Sequence, residues 1–287
     1  MRTIAVVGAG TMGHGIAQVA ALAGFETALT DARGEALEPA LGRIRKNLDG
    51  GVQRGKLDNE EADAAFGRLR IEGRLDAAVR NADLVVEAIV EDVEIKRRLF
   101  AELDEYAPGS AILATNTSSL SVSDIASSTE RPARVLGMHF FNPVHIMKLV
   151  ELVRHDRTDA DVLESVRVVA VAMKKDPIIV RDSPGFASSR LGVVLGLEAM
   201  RMVEQEVATP EDIDKALELG YGHPMGPLKV SDLVGLDVRL AIARYLHKEL
   251  HDAQYAPPAI LEAKVGAGEL GKKTGKGFYE WPKEKTS

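Results

Sequence analysis

An imidazole and a carboxylate, His139 and Glu151, each stand inside a run of apolar, β-prone residues. Val135 to Phe141 (VLGMHFF) carries His139 near its end, and Lys148 to Val153 (KLVELV) carries Glu151. Asn142-Pro143 marks a turn between the two runs. Burying a charge is costly unless it is paired, so an ionisable group in such a run calls for a partner. Two runs joined by a short turn can lie side by side and set His139 against Glu151. An imidazole held by a carboxylate is a general base with a fixed tautomer. The competing reading is a core histidine satisfied by a backbone carbonyl, and this stretch alone does not separate the two.

The elements that must position such a pair begin at the N-terminus. Thr3 to Val7 (TIAVV) reads as a buried strand and runs into Gly8-Ala9-Gly10-Thr11-Met12-Gly13. A helix from Thr11 to Leu22 follows, so a G-x-G-x-x-G lies between strand and helix. Gly8 permits the tight turn, Gly10 lets a pyrophosphate approach the backbone, and Gly13 lets the helix pack against the strand. The helix N-terminus adds N–H donors and a positive dipole. Glu26 to Thr30 is the next strand, and Asp31 at its end fits the acid that holds the ribose hydroxyls of NAD. A carboxylate there repels a 2′-phosphate, so NAD is expected over NADP.

Arg33 to about Arg68 exceeds a minimal nucleotide-binding unit. It reads as two helices, Glu35 to Leu48 and Asn59 to Ala65, around a glycine-bearing basic connection (GGVQRGKL), and so as a helical hairpin extending past the sheet. Arg43, Arg45, Lys46, Arg54 and Lys56 make it basic; a solvated helix face is the ordinary explanation, contact with ligand phosphates the functional one. Strands at Leu69–Ile71, Asp83–Glu87 and Ala111–Ala114 follow, with helices between them. Glu91, Lys96 and the hydroxyl-rich Thr115-Asn116-Thr117-Ser118-Ser119 leave C-terminal strand ends, where open α/β sheets bind ligands. Any residue of that loop is also a candidate cap for a helix at Val122 to Ala126. A helix at Asp159–Met173 and a strand at Pro177–Val180 complete an alternation typical of a doubly wound, mostly parallel sheet.

After Asp182-Ser183-Pro184-Gly185 the pattern turns helical: Phe186 to Glu206, a start at Thr209-Pro210, a breaker cluster at Gly220–Pro227, then Val238 to Leu250 and Ala259 to Val265. Strand-like alternation returns only in the tail GKKTGKGFYEW. The expected division is 1–182, a Rossmann-type domain, and 183–287, an all-α C-terminal domain.

Composition sets limits. With 287 residues, 45% hydrophobic and 28% charged, the chain suits one large or two ordinary globular domains. It contains no cysteine, which excludes disulfides and thiolate metal sites and fits a reducing, cytoplasmic setting. A net charge of −7 argues against nucleic-acid binding. No apolar run approaches the ~20 residues of a membrane span, and no signal-peptide pattern is seen. His14, His145, His155, His223, His247 and His251 show no comparable carboxylate setting, and no metal site is expected.

Taken in order, VVGAGTMGHGIA, VVEAIVED, TNTSSLS, GMHFFNPV, MKLVELV, DSPGFASSR, GYGHPMGPL and GKKTGKGFY resemble the L-3-hydroxyacyl-CoA dehydrogenases, most closely the short bacterial 3-hydroxybutyryl-CoA members. The resemblance implies NAD as cofactor, an acyl-CoA substrate and a homodimer formed through the C-terminal domain. It places Gly8, Gly10, Thr11, Met12 and Gly13 in the dinucleotide loop and Asp31 on the ribose. Glu91, Lys96 and Lys273 match cofactor positions. His139 matches the catalytic base and Glu151 its acidic partner. Ser118 matches the hydroxyl that contacts substrate beside the nicotinamide, Asn142 the amide three residues beyond the base, and both are assigned to catalysis and cofactor as well. Ser189 stands where the family usually has Asn before Arg; its hydroxyl reaches less far toward substrate. Two other readings remain: a related dehydrogenase of a free hydroxy or sugar acid, lambda-crystallin-like, and a non-catalytic assembly or ligand-sensing protein.

Overall fold

The structure, a computed structural model, describes residues 1–282. The chain divides into two compact units, Met1–Ser183 and Pro184–Ser287. The first opens with β1 (Thr3–Val7), α1 (Thr11–Leu22), β2 (Glu26–Thr30), α2 (Leu37–Gln53), α3 (Asn59–Gly67), β3 (Leu69–Glu72), α4 (Leu75–Val79) and β4 (Leu84–Glu87). It continues with α5 (Val93–Tyr106), β5 (Ile112–Thr115), α6 (Val122–Ala126), β6 (Val135–Phe140), β7 (Leu149–Arg154), α7 (Ala160–Ala172) and β8 (Asp176–Arg181). One eight-stranded sheet has the order β3-β2-β1-β4-β5-β6-β7-β8. The strands β1 to β6 pair in parallel, β7 runs antiparallel to β6, and β8 is parallel to β7. Continuously apolar strands suit a sheet buried on both faces, and Ile4, Val6, Leu84 and Val86 are fully buried. Strand order reverses between β1 and β4, which sets a ligand crevice at their carboxyl ends.

The insertion departs from expectation in two ways. The helix α2 runs through Gly50 and Gly51 to Gln53, where a connection was expected. Gly51 is buried, and a Cβ there would lie 3.0 Å from Leu57 Cδ1, so the glycine lets Leu57 close over the helix. The reversal comes later, at Arg54 to Asp58, and Asp58 and Glu61 form a reciprocal capping box for α3. The hairpin does not project free of the sheet domain. Ala40, Ile44 and Leu48 of α2 and Ala62 and Ala65 of α3 share one core with Ile16, Ala17 and Ala20 of α1. The cap of α6 also differs: Ser121, rather than a residue of Thr115–Ser119, accepts from Asp124 N.

The second unit contains α8 (Ser188–Glu204), α9 (Pro210–Gly220), α10 (Pro227–Val234), α11 (Leu236–Leu250) and α12 (Ala259–Gly266). Val193, Leu197, Met200, Leu228, Leu236, Leu240 and Leu246 form its core. The helix α10 went unread behind the breaker cluster, although Pro227 at its first position is a start signal. The tail forms a short 3-10 turn, Lys272–Thr274, and two isolated bridges in place of a strand. It is tied down by the buried Asp232, whose carboxylate accepts from Phe278 N, Tyr279 N and Trp281 Nε1. No helix among the described residues is long and apolar enough to cross a membrane.

Candidate active site

The glycine loop is shaped by steric necessity. Gly8 has φ +108°, and a Cβ on it would meet the Ala88 carbonyl oxygen at 2.5 Å. A Cβ on Gly13 would fall 1.7 Å from the Gly8 carbonyl oxygen, so the first turn of α1 packs directly on the loop. Around Gly10 there is open space: nothing lies within 4 Å of an added Cβ. No side chain caps α1, which leaves its first N–H groups for a ligand. Asp31 closes the loop from β2, accepting from Ala9 N at 2.7 Å and from Arg33 N at 2.9 Å. A bare helix N-terminus, an open glycine edge and a carboxylate at the next strand end fit a dinucleotide. Thr11 and Met12 occupy the first positions of α1.

Beside this loop, β4 and β5 end in a buried charge network. Glu87 is fully buried; its Oε1 accepts from Lys96 Nζ at 2.5 Å and Ile89 N at 2.7 Å, and its Oε2 from Thr115 Oγ1 at 2.6 Å. Lys96 Nζ also lies 3.5 Å from Glu91 Oε2. Glu91 Oε1 in turn accepts from Thr117 Oγ1, Ser118 N and Ser118 Oγ at 2.6, 2.8 and 3.1 Å. Lys96 is 1% exposed, so its ammonium is sealed beneath Glu91 and engaged there. The chain of charge thus runs Glu87–Lys96–Glu91 and ends on Ser118.

His139 and Glu151 are direct partners in the β6–β7 ladder. Side chains at directly opposed positions share a face of the sheet, and His139 Nδ1 lies 2.8 Å from Glu151 Oε2. The carboxylate is fully buried, and the imidazole keeps 9% of its side-chain surface. The Phe141 ring stands 4.5 Å from the imidazole, centroid to centroid. Asn142 is exposed at the start of the turn and joined to Pro143 by a cis peptide bond. Lys175 braces that turn from β8's approach, donating to the carbonyls of Val144 and Met147. Burial pushes its ammonium below the usual lysine range.

A cavity of about 1060 Å³ opens between α2 and the turn after β6, and Lys46, Arg54, Lys56, Lys148 and Lys174 line it with positive charge. In the second unit, Ser189 stands in the first turn of α8. Lys273 Nζ is held by both oxygens of Asp237, at 2.5 and 2.6 Å.

Comparison with known proteins bears on this arrangement. Residues 3–183 match the 3-hydroxyacyl-CoA dehydrogenase NAD-binding domain, and residues 185–281 match the C-terminal domain of the same enzymes. The chain belongs to the 3-hydroxyacyl-CoA dehydrogenase family. A probable 3-hydroxybutyryl-CoA dehydrogenase of Bacillus subtilis is 45% identical over 287 residues, covering 100% of this chain and 99% of that protein. A 3-hydroxybutyryl-CoA dehydrogenase of Mycobacterium tuberculosis is 43% identical, covering 98% and 99%. Among solved structures, the (S)-3-hydroxybutyryl-CoA dehydrogenase PaaH1 of Ralstonia eutropha superposes with a TM-score of 0.95 at 36% identity, covering 99% and 100%. The first unit of this 3-hydroxyacyl-CoA dehydrogenase is therefore an NAD-binding domain.

Sequence reasoning gave no individual role to three residues beside this candidate site. Asn116 Oδ1 accepts from Phe140 N at 2.9 Å and so ties the hydroxyl-rich loop to β6 beside His139. Glu87 closes the apolar run DLVVE, and the argument applied to Glu151 would have singled it out. Lys175 left no signal, because its partners are backbone carbonyls.

Proposed function

We propose that this chain interconverts (3S)-3-hydroxyacyl-CoA and 3-ketoacyl-CoA, with the four-carbon 3-hydroxybutyryl thioester as substrate, and that His139 and Glu151 act as its catalytic dyad. One observation carries the reading: a buried carboxylate bonded to an imidazole near the carboxyl end of β6, a strand of an NAD-binding sheet. Residues of the glycine loop and Asp31 would hold NAD, which would supply the hydride acceptor for oxidation at C3 and, as NADH, the donor for reduction. His139 takes the hydroxyl proton on Nε2, while Glu151 fixes the proton on Nδ1 and stabilises the imidazolium that results. General base catalysis of this kind contributes about 10²–10⁴-fold. Ser118, aimed by Glu91, and Asn142 orient the reacting oxygen and the cofactor's reactive end. Gly8, Gly10, Gly13 and Asp31 hold the dinucleotide, Glu91 borders its crevice, the sealed Lys96 acts only by positioning Glu91, and Lys273 is assigned a further nucleotide contact.

The basic cavity beside α2 suits the phosphates of the CoA carrier, since Arg45 pairs with Asp49, the one lining carboxylate, at 3.0 Å and six lining cations remain. Ser189 is assigned to the substrate, in place of the family's Asn. The exposed Leu191 and Leu195 of α8, 65% and 41% accessible, suit subunit contact and a homodimer through the second unit. NADH consumption with acetoacetyl-CoA, set against NAD reduction with a sugar acid, tests the substrate class. His139→Gln is expected to abolish turnover while NADH still binds in a fluorescence titration. Retained turnover refutes the assignment of the base.

A further inference from the structure

Lys175, just before β8, is 8% exposed, and no carboxylate answers it: burial alone lowers the pKa of its ammonium. The ammonium donates to two backbone carbonyls, Val144 and Met147, both in the turn between β6 and β7. An ammonium has three donors, so one is left over. The same side chain lines the basic cavity beside α2, together with His145 and Ile146 of that turn. His145 registers the charge there, since burial and then the neighbouring Arg54, His14 and Lys175 lower its pKa. A buried cation among other cations is costly to hold, and an anion in the cavity offsets that cost.

The turn that Lys175 grips begins at Asn142, three residues beyond His139. Its Val144 is 2% exposed and packs on α1 where Gly15 leaves room: a Cβ on Gly15 would lie 2.8 Å from Val144 Cβ. Within the turn, Ile146 N and Met147 N both donate to the Pro143 carbonyl, each at 3.0 Å. The helix that carries the glycine loop and the ammonium that lines the cavity therefore hold one short turn between them. All of these groups belong to the first unit.

We propose that Lys175 is a positioning residue through which an anion in the basic cavity sets the turn after His139, so that the nucleotide phosphates of the CoA carrier raise turnover as well as affinity. This rests on the dehydrogenase reading and the carrier placement above. An anion beside the ammonium offsets its burial and keeps it charged on the Val144 and Met147 carbonyls. The turn is then held, and Asn142 with it. Binding energy from a part of the substrate that does not react is thereby used at the reacting centre. The coupling is reciprocal, so whatever fixes the turn also tightens the anion.

The test separates the carrier's reactive end from its nucleotide end. Acetoacetyl-pantetheine is reduced with saturating NADH, with and without adenosine 3′,5′-bisphosphate, and kcat is set against that for acetoacetyl-CoA. In the wild-type protein kcat on the pantetheine ester is expected to be about tenfold lower, and the bisphosphate to restore most of it, within the usual range of coupling between sites. Hydrogen exchange in the 142–147 turn is expected to slow when the bisphosphate binds. In Lys175→Met, kcat on acetoacetyl-CoA is expected to fall to the pantetheine-ester level, and the bisphosphate, still bound in calorimetry through the remaining cations, no longer activates. A Lys175→Met protein that is slower on both esters yet still activated has lost only structure, and overturns the inference. So does a wild-type protein that binds the bisphosphate with kcat or turn exchange unchanged, a result that needs no variant to fold. A wild-type protein that turns over acetoacetyl-CoA without binding the bisphosphate refutes the carrier placement, and this inference with it. One inactive on every 3-ketoacyl thioester refutes the dehydrogenase reading itself.

Discussion

Replacing Glu151 by Gln tests the dyad at its least ambiguous point. The carboxylate is fully buried, and its Oε2 lies 2.8 Å from His139 Nδ1. Gln has nearly the same shape, so packing at this β7 position is preserved, and only charge and proton placement change. An amide presenting its NH₂ group to Nδ1 forces the ring proton onto Nε2, the atom that must accept the substrate's proton. An amide presenting its oxygen keeps the tautomer but no longer neutralises the imidazolium. Both arrangements are wrong for a base. The corresponding Asp-to-Asn change in a serine protease triad costs about 10⁴-fold in kcat. For a neutralised acid beside a buried imidazole we expect Glu151→Gln to lose about 10³–10⁴-fold in kcat, with little change in the KM for NADH. The assay is the fall in NADH absorbance with saturating acetoacetyl-CoA, alongside a thermal unfolding scan that certifies the fold. A folded Glu151→Gln protein within tenfold of wild type refutes the argument and leaves Glu151 a structural acid.

Three further outcomes follow from the same geometry. Lys96→Met strands Glu87 as an uncompensated buried carboxylate, an expected loss of about 3–5 kcal/mol in chemical denaturation; the double variant with Glu87→Gln is expected to recover most of it, and a single variant as stable as wild type counts against the network. Asp31→Ala removes the acceptor of Ala9 N and the barrier to a 2′-phosphate, so the KM for NAD is expected to rise about tenfold while the preference over NADP narrows; an unchanged preference contradicts the role of Asp31. Burial holds the His155 imidazole below its ordinary pKa of 6.5, so the unfolded chain binds the proton first. Its share of stability is whole above pH 6.5 and is lost as pH falls below that value. His155→Gln is expected to lessen the drop in melting temperature between neutral and mildly acidic buffer, and an unaltered drop contradicts this.

How much of this is legible in the residues depends on how local the cause is. The glycine loop is readable because part of its steric demand is local: Gly13, five residues after Gly8, packs on the Gly8 carbonyl with room for no side chain. The adjacency of His139 and Glu151 is readable because a lone ionisable group in an apolar run needs a partner, and the second run supplies one. Glu87 obeys the same rule, yet its partner Lys96 sits on α5 among exposed charges, where a lysine attracts no notice. The error in α2 has the same origin. Glycine pairs usually end helices, and only the fold shows that Leu57, six residues on, closes over Gly51.

The register of β6 against β7 ties stability to the chemistry. Side chains alternate across a strand, so a slip of one residue would turn Glu151 to the opposite face from His139. Two features oppose that slip. Gly137 is paired with Val153, and a Cβ on Gly137 would come within 2.7 Å of Val153 Cβ, so this register matches the bare position to a branched one. Lys175 grips the carbonyls of Val144 and Met147 and thereby sets the length of chain between the strands. Each acts on proton transfer by deciding which side chain of β7 stands opposite the imidazole.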